Sequence, residues 1–434
     1  MAVVIGVDLG SSGARAAAVT ADGTVAAWTH EQFTDADSWA PGRADPAAWL
    51  EGLGRALAAV STDGVEIAAI GIGGQSPTTV PMSGEPALTC RHPVGSGLDL
   101  AGSQAAQYEF LEAELGRPIV PAQIWDWALR HLGAGDIQGL WPGDEVMPGF
   151  GDPVQVGTVV GHADGSLGVA AGTALVSGSN DAFMSFWAGG LGVPGRGHDP
   201  GGRTGGIGVA VAAEDRQAEL VGFPSIVAGV DIVGGPVNGH GELLEWWSSV
   251  ASLSIADITG SASDVPPGSK GVLVLPYHGG ERAPRWEPRL RGEISGLSFD
   301  SGAPEIGRAV LESAAYGLRH VHEELNSFGV TMDVMCCAGS PAKSRLWNSI
   351  KASVLEIPVE VPEQPDQLSA YGCALAAGAA VEWWSGPKAD SMESWPALPM
   401  ERIDPEPDEA YREGYQRFLE AGDAAVARLQ ENQS

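Results

Sequence analysis

Asp8 closes an apolar run, Val3-Val4-Ile5-Gly6-Val7, and is followed at once by Leu9-Gly10-Ser11-Ser12-Gly13 and a second apolar stretch from Ala14 to Thr20. Two such runs around a Gly/Ser cluster read as strand, tight turn, strand. At the mouth of that hairpin one carboxylate can hold Mg²⁺, glycine amides can approach an anion closely, and Ser11 and Ser12 add hydroxyl donors. This is chemistry for gripping a nucleotide phosphate; an ordinary hairpin with a surface Asp is the simpler alternative. Asp181 is the second carboxylate of interest. It follows a strand at Thr173–Ser177 within the turn Gly178-Ser179-Asn180-Asp181, a place where α/β folds put ligand-contacting residues. An Asp there can take the proton of a hydroxyl as it attacks a γ-phosphate, or it can cap the helix that follows.

The elements that must position these residues follow from periodicity and punctuation. Asp45-Pro46 starts a helix running to Ala58, with Asp as N-cap and Pro at the first helical position. Val65–Ile72 is a buried strand leading into Gly73-Gly74-Gln75-Ser76, and helices are expected at Ser103–Leu115 and Ile124–His131. Residues 116–153 are otherwise rich in Pro, Gly and Trp. A helix follows Asp181 to about Ala188, and the glycine-crowded stretch 190–206 is read as a hinge. Beyond it, Ile207–Ala213 restarts a strand pattern, Glu305–Phe328 is a long amphipathic helix closed by Gly329, and Asp333–Ala338 is a strand running into Gly339-Ser340, with a helix from Ala342. Ala370–Trp384 and Tyr411–Leu429 are the last helices. Strands and helices alternate in both halves, which is α/β twice over, and both halves open with a strand and a Gly-rich turn. The charged loop from Pro276 to Gly292 reads as bracing held by internal Glu–Arg pairs.

Composition narrows the field. A chain of 434 residues suits two domains. A net charge of −31 argues against nucleic acid or an anionic membrane as partner. It also means that a phosphate site must work through Mg²⁺, backbone amides and local donors; the lysines are only Lys270, Lys343, Lys351 and Lys388. No apolar stretch is long enough to span a bilayer, and four irregularly placed cysteines suit a reduced, cytoplasmic protein. There is no G-x-x-x-x-G-K-[ST], which excludes a P-loop.

Taken in order, these segments resemble the FGGY carbohydrate kinases of the actin-like ATPase superfamily. Ile5 to Arg15 is similar to that family's first phosphate hairpin, Ile70 to Ser76 to its sugar-contacting strand end, Gly178 to Asp181 to the segment with the catalytic Asp, and Thr204-Gly205-Gly206 to the second phosphate loop. Leu275-Pro276-Tyr277 through Gly296-Leu297 resembles the signature of the C-terminal domain, and Gly339 through Val359 the adenosine-binding strand, turn and helix. There are departures. Asp99 falls in register with a sugar-contacting Asp, but the Trp expected two residues before it is Gly97 and no Arg follows. The region after Gly116 is short and lacks the expected Lys-x-Trp segment.

The resemblance implies an α/β fold of two actin-like (ribonuclease H-like) domains flanking a nucleotide cleft, 1–199 for sugar and first phosphate and 200–434 for the nucleotide. It implies ATP-dependent phosphorylation of a small sugar or polyol, a ketopentose such as ribulose or xylulose first. A catalytically weak or non-catalytic sugar- or nucleotide-sensing protein is the alternative. The implied roles are Asp181 as base and Asp8 as Mg²⁺-orienting carboxylate. Gly10, Ser11, Ser12, Gly13, Thr204, Gly205 and Gly206 would hold ATP phosphates, Gly339 and Ser340 the adenosine, and Gln75, Ser76 and Asp99 the sugar. A homodimer is left open.

Overall fold

The computed structural model describes residues 2–34, 42–61, 64–95, 100–202, 204–385 and 396–431. The chain forms two compact units: residues 1–190 together with 367–398, and residues 191–366 together with 399–434. The segment 367–398, grouped by the sequence reading with the C-terminal half, packs in the first unit.

In the first unit, the strands are β1 (Ala2–Leu9), β2 (Gly13–Thr20), β3 (Val25–Gln32), β4 (Glu66–Gly74), β5 (Val159–His162) and β6 (Ala174–Asn180). They form one sheet in the order β5-β6-β4-β1-β2-β3. β1 is antiparallel to β2 and parallel to β4, and β6 is parallel to β4. Central parallel strands are covered on both faces, so β1 is buried from Val3 to Leu9 without alternation. Helices α1 (Pro46–Val60), α2 (Leu100–Leu115), α3 (Ile124–Leu132) and α4 (Asp181–Ala188) follow their strands. As expected, Asp45 caps α1, its side chain accepting from the Ala47 N–H at 2.9 Å. The stretch 116–153 holds more than the one expected helix, since Ile137–Leu140 and Asp152–Gln155 pair as parallel strands.

The second unit repeats the plan. Its strands are β7 (Arg196–Asp199), β8 (Gly205–Ala212), β9 (Gly222–Pro224), β10 (Val230–Val237), β11 (Val334–Cys337), β12 (Val359–Pro362) and β13 (Met400–Ile403), in the order β9-β10-β8-β7-β11-β12-β13. β7 is antiparallel to β8 and parallel to β11, as β1 is to β2 and β4. The echo between halves expected from the sequence is therefore a duplicated sheet. Its helices include α5 (Gly241–Ala251), α6 (Ala303–Ser327), α7 (Arg345–Leu355) and α9 (Glu409–Glu431), with α8 (Leu368–Ala380) lying in the first unit. The stretch 190–206, expected as a hinge, contains the sheet strand β7. The Pro276–Gly292 loop is braced as expected, by Glu281–Arg285 at 3.0 Å and Glu287–Arg289 at 2.6 Å.

The way α8 sits on the first sheet is decided by missing side chains. A Cβ at Gly6 would strike the Ala370 carbonyl and the Ala374 amide, and one at Gly71 would strike the Cys373 carbonyl. On the other side of the helix, a Cβ at Gly372 would meet the Met184 carbonyl of α4. Ala370, Ala374, Ala376 and Ala377 are all fully buried, so the alanine-rich helix approaches strands and α4 at backbone distance. Gly6→Ala should therefore lower stability by about 1–3 kcal/mol or more, because the obstacle is backbone that cannot rotate away. A shifted urea midpoint at constant slope reports this, and a midpoint equal to wild type would show that α8 is not seated on β1.

Candidate active site

Three strand ends meet in the first unit. Asp8, one residue before the end of β1, is in register with Gly73, and Gly74 of β4 is in register with Asn180 at the end of β6. β6 thus runs three residues beyond the expected Ser177, and Gly178-Ser179-Asn180 is strand where a turn was expected. Asn180 caps α4 by accepting from the Phe183 N–H at 2.9 Å. The cap alternative for Asp181 is thereby answered: Asp181 is the first residue of α4, and its Oδ1 accepts from the adjoining Ala182 N–H at 2.8 Å.

Asp8 is 4% exposed. Its Oδ2 lies 3.5 Å from Arg15 Nη1, while Oδ1 is buried with no hydrogen-bond partner. Burial pushes the Asp8 carboxyl above its ordinary range, against the pull of Arg15. The Asp181 carboxyl is pushed up to about 7, first by burial and then by the negative charge of Asp8. The two carboxylates therefore share one electrostatic environment.

The β1–β2 turn follows the expected pattern. The Gly10 N–H donates to the Gly13 carbonyl at 3.0 Å, and Ser11 and Ser12 are exposed at the tip. A Cβ at Gly10 would lie 2.7 Å from Arg15 Nη1, so glycine there leaves Arg15 its path to Asp8. Arg91, which the sequence reading missed, donates to Ser11 Oγ at 3.3 Å.

Gln75 and Ser76 follow β4 directly, the Gln75 N–H donating to the Leu9 carbonyl at 2.9 Å. Gln75 is buried, and neither its Oε1 nor Ser76 Oγ has a partner among the described residues. Two further amides, also missed, are buried in this unit. Gln123 precedes α3, whose Ile124 packs where a Gly74 Cβ would sit, and Gln123 Nε2 donates to Gln104 Oε1 of α2 at 3.5 Å. Gln123 Oε1 and Gln104 Nε2 remain without partners. Buried, unsatisfied amides are costly unless something else completes them. A run of Gln in or before a helix ordinarily marks a wet face, so only their zero or near-zero exposure could have flagged them. Asp99 lies outside the described residues.

In the second unit, Thr204 is exposed, while Gly205 and Gly206 open the buried strand β8 and are not loop. The Ala338 N–H donates to the Asp199 carbonyl at 2.9 Å, and a Cβ at Gly339 would meet the Gly202 amide at 2.6 Å. The β7–β8 turn and the Gly339-Ser340 turn are thus in contact. Helix α7 starts at Arg345 after a 3₁₀ turn over Ser340–Lys343, later than the expected Ala342, because Pro341 interrupts the run and Ser344 takes the cap, accepting from the Trp347 N–H at 3.3 Å. A cavity of about 600 Å³ lies beside this turn, lined by Ala342, Lys343, Arg345, Asn348, Glu363 and Glu401 among others; Gly339 and Ser340 do not line it.

Residues 232–381 match the C-terminal domain of the FGGY family of carbohydrate kinases. A gluconokinase from Bacillus subtilis is 33% identical over 158 residues, 33% of this chain and 31% of that relative. A glycerol kinase from Haloarcula marismortui is 30% identical over 177 residues, 40% and 34% of the two chains. The chain spans about a third of the length of the curated relatives it matches. The fold is similar to that of a ligand-bound xylulose kinase from Lactobacillus acidophilus, at TM-score 0.78, 18% identity and 98% and 99% coverage. It is also similar to Plasmodium falciparum glycerol kinase with ADP, at TM-score 0.73, 16% identity and 99% and 98% coverage. The duplicated sheets thus belong to a fold shared with these two kinases.

Helix α3, which Gln123 precedes, is tied down by a buried carboxyl group. Asp126 has no exposed surface and accepts the Gly139 N–H with both carboxylate oxygens at 3.1 Å. Burial pushes its carboxyl up to about 8, against that amide and Arg130. The folded state therefore holds a proton that the unfolded chain releases, and this site's contribution to stability is lost as pH rises from the ordinary carboxylate range to about 8. Asp126→Asn removes that dependence. Its melting temperature relative to wild type should rise between about pH 5 and about pH 8, following about 1.4 kcal/mol per pH unit. A difference that stays flat across this range would show that Asp126 is ionised throughout.

Proposed function

We propose, for a chain that belongs to the FGGY family of carbohydrate kinases through residues 232–381, that it transfers the terminal phosphoryl group of MgATP to a hydroxyl of a small sugar or polyol. The observation that carries this reading is the pair of carboxylates at neighbouring strand ends. Asp181 is poised near neutrality and freed from capping, and Asp8 holds a buried oxygen with no partner. A base with a pKa near the working pH is what removal of a hydroxyl proton needs.

Asp8 suits Mg²⁺ on the same evidence. Its unpartnered Oδ1 suits an ion that keeps its waters and is held by one carboxylate and the nucleotide phosphates. When bound, the ion supplies neutralisation of the charge on the transferred group. Asp181 accepts the proton of the attacking hydroxyl at its free carboxylate oxygen. Arg15 holds Asp8 in place, and in the first unit the amides of Gly10 to Gly13, with the Ser11 and Ser12 hydroxyls, suit phosphate oxygens; in the second unit Thr204, Gly205 and Gly206 suit the same chemistry. The adenosine goes to the Gly339-Ser340 turn. The fold it shares with a glycerol kinase solved with ADP supports a nucleotide ligand.

For the acceptor, Gln75, Ser76, Gln104 and Gln123 are neutral donors and acceptors, which suits hydroxyls better than a carboxylate. A ketopentose such as ribulose or xylulose is the first candidate, supported by the structural likeness to xylulose kinases. ADP release measured with MgATP and a panel of ketopentoses, glycerol and gluconate tests the reading; stimulation by none of them sinks it. Asp181→Asn should leave MgATP affinity near wild type while lowering kcat at least about a hundredfold, and wild-type turnover would make Asp181 merely structural. Asp8→Ala should abolish most activity and shift the Mg²⁺ requirement of the residual rate upward, whereas an unchanged requirement would place Asp8 outside the metal's surroundings.

A further inference from the structure

The duplicated topology puts an aspartate in the same place twice. Asp8 is the penultimate residue of β1 and Asp199 the last of β7, each just before a glycine-bearing turn, and each on the strand that pairs antiparallel with the next and parallel with a later one. The two are treated differently. Asp8 keeps one oxygen without a partner. Asp199 keeps none: Oδ1 accepts from the Gly201 N–H at 3.0 Å, and Oδ2 lies 2.5 Å from Lys351 Nζ and 3.5 Å from His240 Nε2. All three side chains are fully buried.

The cluster reaches the turn from several sides. Lys351 and Trp347 stand one helical turn apart on α7, with Nζ 5.1 Å from the indole centroid, and His240 stacks on the same indole at 6.0 Å. Trp347 is itself fixed by its Nε1–H donating to the Leu311 carbonyl at 3.0 Å. The His240 ring fills the space where a Gly205 Cβ would lie, and the Gly241 N–H donates to the Gly202 carbonyl at 3.1 Å. Asp199, Gly201 and Gly205 are thus each held by a buried side chain, while Gly202, exposed like Thr204, is held by the Gly241 amide.

A buried ion pair is a poor way to gain stability, since apolar residues of similar volume generally do as well or better. What it supplies is geometry. Burial opposes ionisation of Asp199, but Lys351 and His240 hold its carboxyl well below the ordinary range; burial likewise opposes charge on Lys351, and Asp199 restores it. The pair is ionised and internally neutral. An unpaired Asp199 at this strand end would repel a polyphosphate; paired with Lys351, it fixes the turn without adding net charge beneath it.

We propose that Lys351, Asp199 and His240 are positioning residues that hold the β7–β8 turn in the shape that receives nucleotide phosphates, an inference that rests on the kinase reading above. The test uses the full chain and calorimetric binding of MgADP without sugar, beside melting temperature and steady-state kinetics. Asp199→Ala with Lys351→Met removes both charges together, so no lone ion stays buried. Its Kd for MgADP should rise about tenfold or more through lost preorganisation, with the KM for sugar within about twofold of wild type. Asp199→Asn with Lys351→Met keeps an acceptor for Gly201 and should recover most of the affinity. A folded Ala/Met variant with wild-type Kd, or equal losses in nucleotide and sugar, overturns the proposal. If that variant does not fold, His240→Ala tests the same anchor from the Gly205 side; a several-fold weaker Kd supports it and an unchanged one overturns it. Wild-type protein that binds no MgADP would overturn both this inference and the kinase reading, whereas binding by wild type with no loss in the variants overturns this one alone.

Discussion

Backbone-to-backbone contact between α8 and the centre of the first sheet is the constraint from which the site's geometry follows. It exists only because Gly6, Gly71 and Gly372 carry no side chain. The same helix touches β1, β4 and α4, so it fixes the relative positions of the strand ends bearing Asp8 and Gln75 and of the helix opened by Asp181. At such a contact no side chain can change rotamer to absorb a shift, and close packing transmits small displacements directly. Catalytic positioning at the ångström level calls for that kind of support. A Cβ at Gly73 would likewise meet Cys373 Sγ at 2.9 Å and the Ser179 carbonyl at 2.7 Å, extending the contact to the end of β6.

Electrostatics inside this acidic protein depend on burial more than on the overall charge of −31. Asp8, Asp126 and Asp181 all have raised pKa values with burial as the first cause. Asp199, equally buried, goes the other way because a lysine and a histidine face it. One fold thus produces carboxylates of opposite character from the same residue type, set by burial and by the charges that face them. The contrast between Asp8 and Asp199 is the sharpest case, since the two occupy equivalent strand ends.

The buried amides of Gln75, Gln104 and Gln123 are a different resource. They carry no charge, present both donors and acceptors, and have capacity that the chain itself does not fill. In the kinase reading proposed above, a site built on them would discriminate by which hydroxyls complete its hydrogen bonds.

The sequence by itself determined the hairpin that carries Asp8, the turn glycines, the placement of Asp181 after a buried strand, and the duplication of an α/β plan. These are local signals: apolar runs, Gly/Ser clusters and caps act within a few residues, and Asp45 capping α1 is read as easily from the chain as from the fold. Boundaries were less secure, because pairing in a sheet extended β6 to Asn180 and drew Gly205-Gly206 into β8, overriding local turn propensity. Only the tertiary structure decided that 367–398 joins the first unit, that Asn180 and not Asp181 caps α4, and that Gln104 and Gln123 are buried. It alone paired Asp199 with Lys351 across 152 residues. The physical reason is common to all of these: burial and long-range partners are set by packing between segments distant in the chain, and no residue's own type or spacing encodes what will finally lie against it.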